Sequence, residues 1–182
     1  MAFSHSSRGR LTDKDLGRFP GETLFDRLAR AVCHAECLPR KELYEAWEVA
    51  RRVRRLFRGG RVVDLGGGHG LLAQVMLVLD DSSPAALVVD KALPPSSARV
   101  HEALVETWPR LSGRITFVES ALDDAGVDLQ PADLVVGVGE EPGVGLLHAG
   151  EEEPGVAVQF VPCRDPGWAR SQLRALGDDA LG

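Results

Sequence analysis

The sequence predicts an α/β fold in which a mostly parallel sheet is flanked by helices, and three observations carry that expectation. Arg61-Val62-Val63-Asp64-Leu65 is a short apolar run that ends in Gly66-Gly67-Gly68-His69-Gly70, after which Leu71-Leu72-Ala73-Gln74-Val75-Met76 opens a helix. Ala85-Ala86-Leu87-Val88-Val89-Asp90-Lys91 is a second apolar run ending in an acid, and Asp90 lies 20 residues after Gly70. Two further runs follow, Arg114–Leu122 and Asp133–Val138. Short apolar runs separated by helical segments are the pattern of βα units.

The elements can be taken in order. Met1 to Phe19 is polar and charged and reads as loose chain. Gly21 to Leu38 places Leu24, Phe25, Leu28, Ala31 and Val32 at helical spacing, and Pro39 separates that helix from the next. Within it Cys33 and Cys37 stand four residues apart and would share a helix face. A closed zinc site needs four ligands, and His34 would point away from both thiols, so the preferred reading is two buried cysteines acting as small apolar groups, with no metal.

Lys41 to Arg58 repeats apolar residues at Leu43, Trp47, Ala50, Val53 and Phe57, one face of an amphipathic helix laid on the sheet. Arg51, Arg52, Arg54, Arg55 and Arg58 fall mostly on its other side. They suit a phosphate-contacting edge or, the favoured reading, a solvated face partly neutralised by Glu42, Glu45 and Glu48. After Pro94-Pro95, Ser96 to Trp108 reads as a helix with Val100, Leu104 and Trp108 inward and Ser97 as a candidate cap.

The chemistry concentrates at the glycine turn. Its spacing is G-x-G-x-G, whereas a dinucleotide fingerprint needs G-x-G-x-x-G, and Leu71 occupies that last glycine position. The pattern therefore favours S-adenosylmethionine over a nicotinamide cofactor. Glycines let a backbone approach a ligand, and the N–H groups of the following helix suit a carboxylate. Such turns also occur in folds that bind nothing. Asp90 argues otherwise, because an acid at the end of the second strand, at this distance, can accept hydrogen bonds from ribose hydroxyls.

On these residues the stretch Lys41–Val138 resembles a class I S-adenosylmethionine-dependent methyltransferase. The resemblance implies a Rossmann-like sheet of strand order 3-2-1-4-5 and a cofactor site formed by Asp64, Gly66, Gly67, Gly68 and Gly70. It places Asp90 and Lys91 at the ribose, with Ser120 and Ala121 in the loop that packs on adenine and Asp123 and Asp124 shortly after. It also lays the Lys41–Arg58 helix over the cofactor, so that Glu42 or Glu45 could approach the site. Residues 1–38 would form an N-terminal extension, loose then helical, and residues 39–182 the S-adenosylmethionine-binding domain.

The sequence departs from the family beyond Val138. Gly139-Glu140-Glu141-Pro142-Gly143-Val144 is nearly repeated twelve residues later as Glu151-Glu152-Glu153-Pro154-Gly155-Val156, with only Leu146, Leu147 and His148 between as helix-worthy residues. Val156–Cys163 reads as a fifth strand and Pro166–Leu176 as a last helix, leaving no sequence for the family's last two strands. Glu140 and Glu141 stand where a base could act, though a solvated acidic turn is the favoured reading. No amino-methylation signature of the Asn-Pro-Pro-Tyr type is present, so no catalytic residue is assigned. His69 is expected to shape the turn.

Composition bounds the function. The chain has 182 residues, 44% of them hydrophobic, enough for one α/β domain with a short extension. No run is long enough to span a bilayer, and Met1–Arg18 lacks a signal-peptide core. Three cysteines fit a reducing cytoplasm rather than a disulfide framework. Of the net charge of −6, the segment from Glu119 onward carries 13 acids against 3 arginines, so the mean field does not favour nucleic acid.

Three functions follow: a methyltransferase with a small-molecule or RNA acceptor, a binding-only relative that keeps the cofactor pocket, and, more distantly, a nicotinamide-dependent oxidoreductase. A homo-oligomer or a partner chain completing the sheet edge is expected.

Overall fold

The computed structural model describes residues 5, 7–121, 127–130, 132–139, 143–147 and 156–162. Four strands form the parallel centre: β1 (Val62–Leu65), β2 (Ala86–Asp90), β3 (Ile115–Glu119) and β4 (Leu134–Gly139). Two more lie beyond them, β5 (Gly143–Leu147) and β6 (Val156–Pro162), giving the order β3-β2-β1-β4-β6-β5. β6 is the strand expected from Val156 onward, and it lies parallel beside β4 with Gly139 opposite Pro162. The sheet thus keeps the expected order through five parallel strands. β5 was not foreseen: it runs antiparallel to β6 at the edge, with Gly143 opposite Phe160.

Helices α1 (Leu24–Ala35), α2 (Arg40–Leu56), α3 (Leu71–Leu79) and α4 (Ser96–Thr107) share one core with one face of the sheet. Strand residues alternate sides, so Val62, Ala86, Val88, Leu134 and Val136 join that core. The opposite face carries a smaller cluster of Val63, Leu65, Val89 and Val135, covered by Val127 and Leu129. In α4, Val100, Leu104 and the following Trp108 face inward as expected. Ser97 does not cap the helix; its hydroxyl donates back to the Pro94 carbonyl at 2.7 Å, because Pro95 already occupies the cap position.

Three further expectations need correction. Residues 7–19, expected to be loose, contain a 3-10 helix at Asp13–Arg18 and a bridge from Arg10 to Pro39, with Leu11 and Phe19 in the main core. Cys33 and Cys37 do not share a helix face. α1 ends at Ala35, and Glu36 takes the left-handed conformation at φ 49°, which carries Cys37 off the helix axis. Both thiols are buried, burial pushes Cys33 up to about 12, and His34 turns to Asp13 at 2.8 Å.

Arg54 is the third. It does not belong to the solvated arginine face of α2 but is 2% exposed. Its guanidinium pairs with Asp80 at 3.2 Å and donates to the Met76 carbonyl and the Ser83 hydroxyl. This pair ties the end of α2 to the end of α3.

Candidate functional site

The site begins with the sheet. β1 and β4 are neighbours, yet the connection from β1 leads the chain toward β2 on one side while β4 and β6 lie on the other. A crevice opens at the carboxyl ends of strands where the order reverses in this way. Arg61 fixes the register from the opposite end, donating to both carboxylate oxygens of Asp133 just before β4.

The glycine turn fills the crevice mouth. Gly66, Gly68 and Gly70 have φ of 73°, 51° and 68°, the left-handed region in which a Cβ is strained. Gly67 and Gly70 are required for a second reason. A Cβ on Gly67 would lie 2.7 Å from the Asp64 carboxyl and 2.8 Å from Val88, and one on Gly70 would lie 2.8 Å from Phe117. These two glycines therefore serve the turn's own packing rather than the approach of a ligand. Gly68 is different: a Cβ there would meet only the Asp90 carboxylate, at 4.0 Å.

Asp64 and Asp90 hold the turn from beneath and beside it. Asp64 is 3% exposed, and its Oδ2 has no hydrogen-bond partner among the described residues. Burial pushes its carboxyl from the ordinary 3.8 up to about 7; the Ala73 amide opposes that rise and the nearby Asp90 charge adds to it. Asp90 accepts from the Gly68 N–H through Oδ2 at 3.0 Å and from the Ala92 N–H through Oδ1 at 3.2 Å. Below the turn, buried Gln74 donates to the Gly70 carbonyl at 3.2 Å and meets His101 Nδ1 at 2.9 Å.

A cavity of about 260 Å³ lies between this turn and α2. Asp64, Gly66, Gly67, Gly68, His69 and Gly137 form its floor, with Leu71 and Leu72 from α3. Glu42, Glu45, Ala46 and Val49 form its roof. Those four positions follow i, i+3, i+4, i+7, a second helical stripe beside the buried Leu43–Ala50–Val53 one. The resemblance left Glu42 or Glu45 able to approach the site, and both line the cavity; Ala46 and Val49 were not singled out, because the stripe they share with two glutamates carries no apolar signal. His69 lines the cavity, where burial pulls its imidazole below the ordinary value against the opposing charges of Glu42 and Asp90.

The structure thus brings together Asp64, Gly66, Gly67 and Gly68. Gly70 caps α3 behind them, and Asp90 reaches them through the Gly68 amide. Lys91 and Ala121 are exposed and Ser120 half-buried at the ends of β2 and β3, outside the cavity, with the Ser120 N–H donating to the Asp90 carbonyl at 2.9 Å. Glu140, Glu141, His148, Cys163, Asp123, Asp124, the acidic repeat's connecting segments and the expected last helix lie outside the described residues. Among the described residues no group of three or more His, Cys, Asp or Glu is placed to hold a metal ion, and no helix is long and apolar enough to cross a membrane.

Strand order, parallel register and the glycine turn at the switch point give the chain a Rossmann-like fold. No protein-family model matches the sequence, and no curated protein matches it. Among solved structures it is similar to geranyl diphosphate C-methyltransferase from Streptomyces coelicolor A3(2), whose structure holds S-adenosyl-L-homocysteine. That match has 18% identity and a TM-score of 0.41, over 76% of this chain and 48% of the other. It is also similar to a candidate RNA methyltransferase from Pyrococcus horikoshii, at 19% identity and a TM-score of 0.37, over 56% of this chain and 45% of the other. A third is the mitomycin 7-O-methyltransferase, at 16% identity and a TM-score of 0.40, over 70% and 36%. The chain spans less than half the length of each of these proteins.

Proposed function

We propose that this chain binds S-adenosylmethionine and transfers its methyl group to a small-molecule or RNA acceptor. The observation that carries the reading is the cavity at the β1/β4 switch point, floored by a left-handed glycine turn and by a buried carboxylate with an unpartnered oxygen. That oxygen is what the fit of the group rests on. A cationic ligand atom or an N–H donor would satisfy it, and none of the described residues does.

Each residue then has a task. The first-turn N–H groups of α3 and the backbone of Gly66–Gly68 suit the carboxylate end of the ligand. Asp90, with its oxygens already oriented by two amides, retains lone pairs for ribose hydroxyls. Lys91, Ser120 and Ala121 flank the base at the ends of β2 and β3. When bound, S-adenosylmethionine supplies an electrophilic methyl: the acceptor's lone pair forms the new bond and the carbon–sulfur pair stays on sulfur. The protein's contribution is alignment, with a general base needed only if the acceptor must lose a proton. Cytoplasmic localisation belongs to this reading and is supported by the buried, unpaired Cys33 and Cys37.

Calorimetric titration of S-adenosylmethionine and S-adenosylhomocysteine tests it. Both should bind, and Asp90→Ala should weaken them by about 1–3 kcal/mol. Absence of heat from folded protein would overturn the reading. Methyl transfer to a panel of small molecules and RNAs would then distinguish an enzyme from a binding protein.

A further inference from the structure

The cavity's charge is one-sided. Among the described residues its acids are Asp64 below and Glu42 and Glu45 above, and its only basic side chain is His69, which burial disfavours in its charged form. The two glutamates are not equivalent. Glu45 is held by Lys41 Nζ at 2.9 Å, which offsets its charge. Glu42 lines the same cavity as His69, and its charge works against the downward pull of burial on that imidazole. The independent sign of a ligand is Asp64: 3% exposed, lining the cavity, with an oxygen that no group among the described residues satisfies.

We propose that Glu42 makes this cavity selective for the charge of its occupant, favouring the sulfonium donor over the neutral thioether left after transfer. The inference rests on the cofactor reading above and assigns Glu42 as its specificity-determining residue. The donor carries one positive charge more than its demethylated product, and the two share nearly every other contact. Both keep their ammonium, so a carboxylate at the roof acts on both and more strongly on the donor, by the sulfonium charge. Such a site holds the ligand less tightly once the methyl leaves, which assists product departure.

The test is titration of both ligands into the wild type, Glu42→Gln and Glu45→Gln, each first checked for an unchanged thermal melt. Glu42→Gln should weaken S-adenosylmethionine about five-fold, the effect of a unit charge some 4 Å away at the dielectric of water, and leave S-adenosylhomocysteine within about two-fold. Glu45→Gln should have a smaller effect. In the wild type, added salt should weaken the donor more than the product. Equal losses for both ligands, or no loss for either, would overturn the proposal while leaving the cofactor site standing. A folded wild type that binds neither ligand would overturn the cofactor reading itself.

Discussion

A carboxylate that is 3% exposed with one oxygen unpartnered costs free energy whenever it is ionised. For Asp64 the sign follows from the direction of the shift. The folded protein holds the proton more tightly than the unfolded chain, so the contribution to stability is fully present below about pH 4 and is lost as pH rises toward about 7. Over that span the loss is on the order of 4 kcal/mol. Asp64→Asn removes the titration. Urea unfolding should show the variant gaining on the wild type between pH 4 and pH 8, and a difference that stays constant with pH would contradict this account. Asp64 was legible as a site residue because an acid two positions before a glycine turn is a sequence pattern. Its missing partner was not, since that depends on how Gly67 and Val88 close around it.

Among the elements, α2 shows most clearly what periodicity conveys and what it omits. Leu43, Ala50 and Val53 mark its buried stripe from sequence alone. Arg54 breaks the rule, because a guanidinium can be buried where an acid, carbonyls and a hydroxyl converge, and here these come from Asp80, Met76, Gly59 and Ser83, outside the helix. Burial pulls the guanidinium below its ordinary value, and the Asp80 charge counters this. Arg54→Ala should cost about 3–5 kcal/mol in denaturant unfolding, as expected for stranding the other half of a buried pair. A loss below about 1 kcal/mol would class the pair with surface ion pairs. β5 escaped for the opposite reason: Gly143 and Gly145 interrupt any alternation, and an edge strand pairs on one side only.

For the molecule as a whole, the question is whether the chain before Pro39 unfolds with the rest. Leu11 is fully buried in the core that also holds Leu28, Leu43, Val62 and Met76. Its backbone N–H donates to the Leu38 carbonyl at 2.9 Å. Leu11 and Leu16 stand five apart in a polar stretch, neither a helical nor a strand spacing, so sequence could not place Leu11. Leu11→Ala should lower stability by about 2–5 kcal/mol, the cost of truncating a core leucine. Fluorescence and circular dichroism should report one shared transition. An early transition confined to the N-terminal segment would mark it as a separate unit. The βα units, by contrast, were legible in the runs ending in Gly66 and Asp90, while their order in the sheet was an expectation from the family resemblance rather than from the runs themselves.

The two amides that Asp90 already accepts have a consequence for how its part in recognition can be dissected. A carboxylate offers acceptors at both ends, but asparagine would turn an amino group toward either the Gly68 or the Ala92 N–H and set donor against donor. The isostere is therefore the harsher change, and even alanine frees the loop as it removes the contact. Scaffold and recognition are fused in one side chain. They come apart only when the hydroxyl is deleted from the nucleoside and the protein is left as it is.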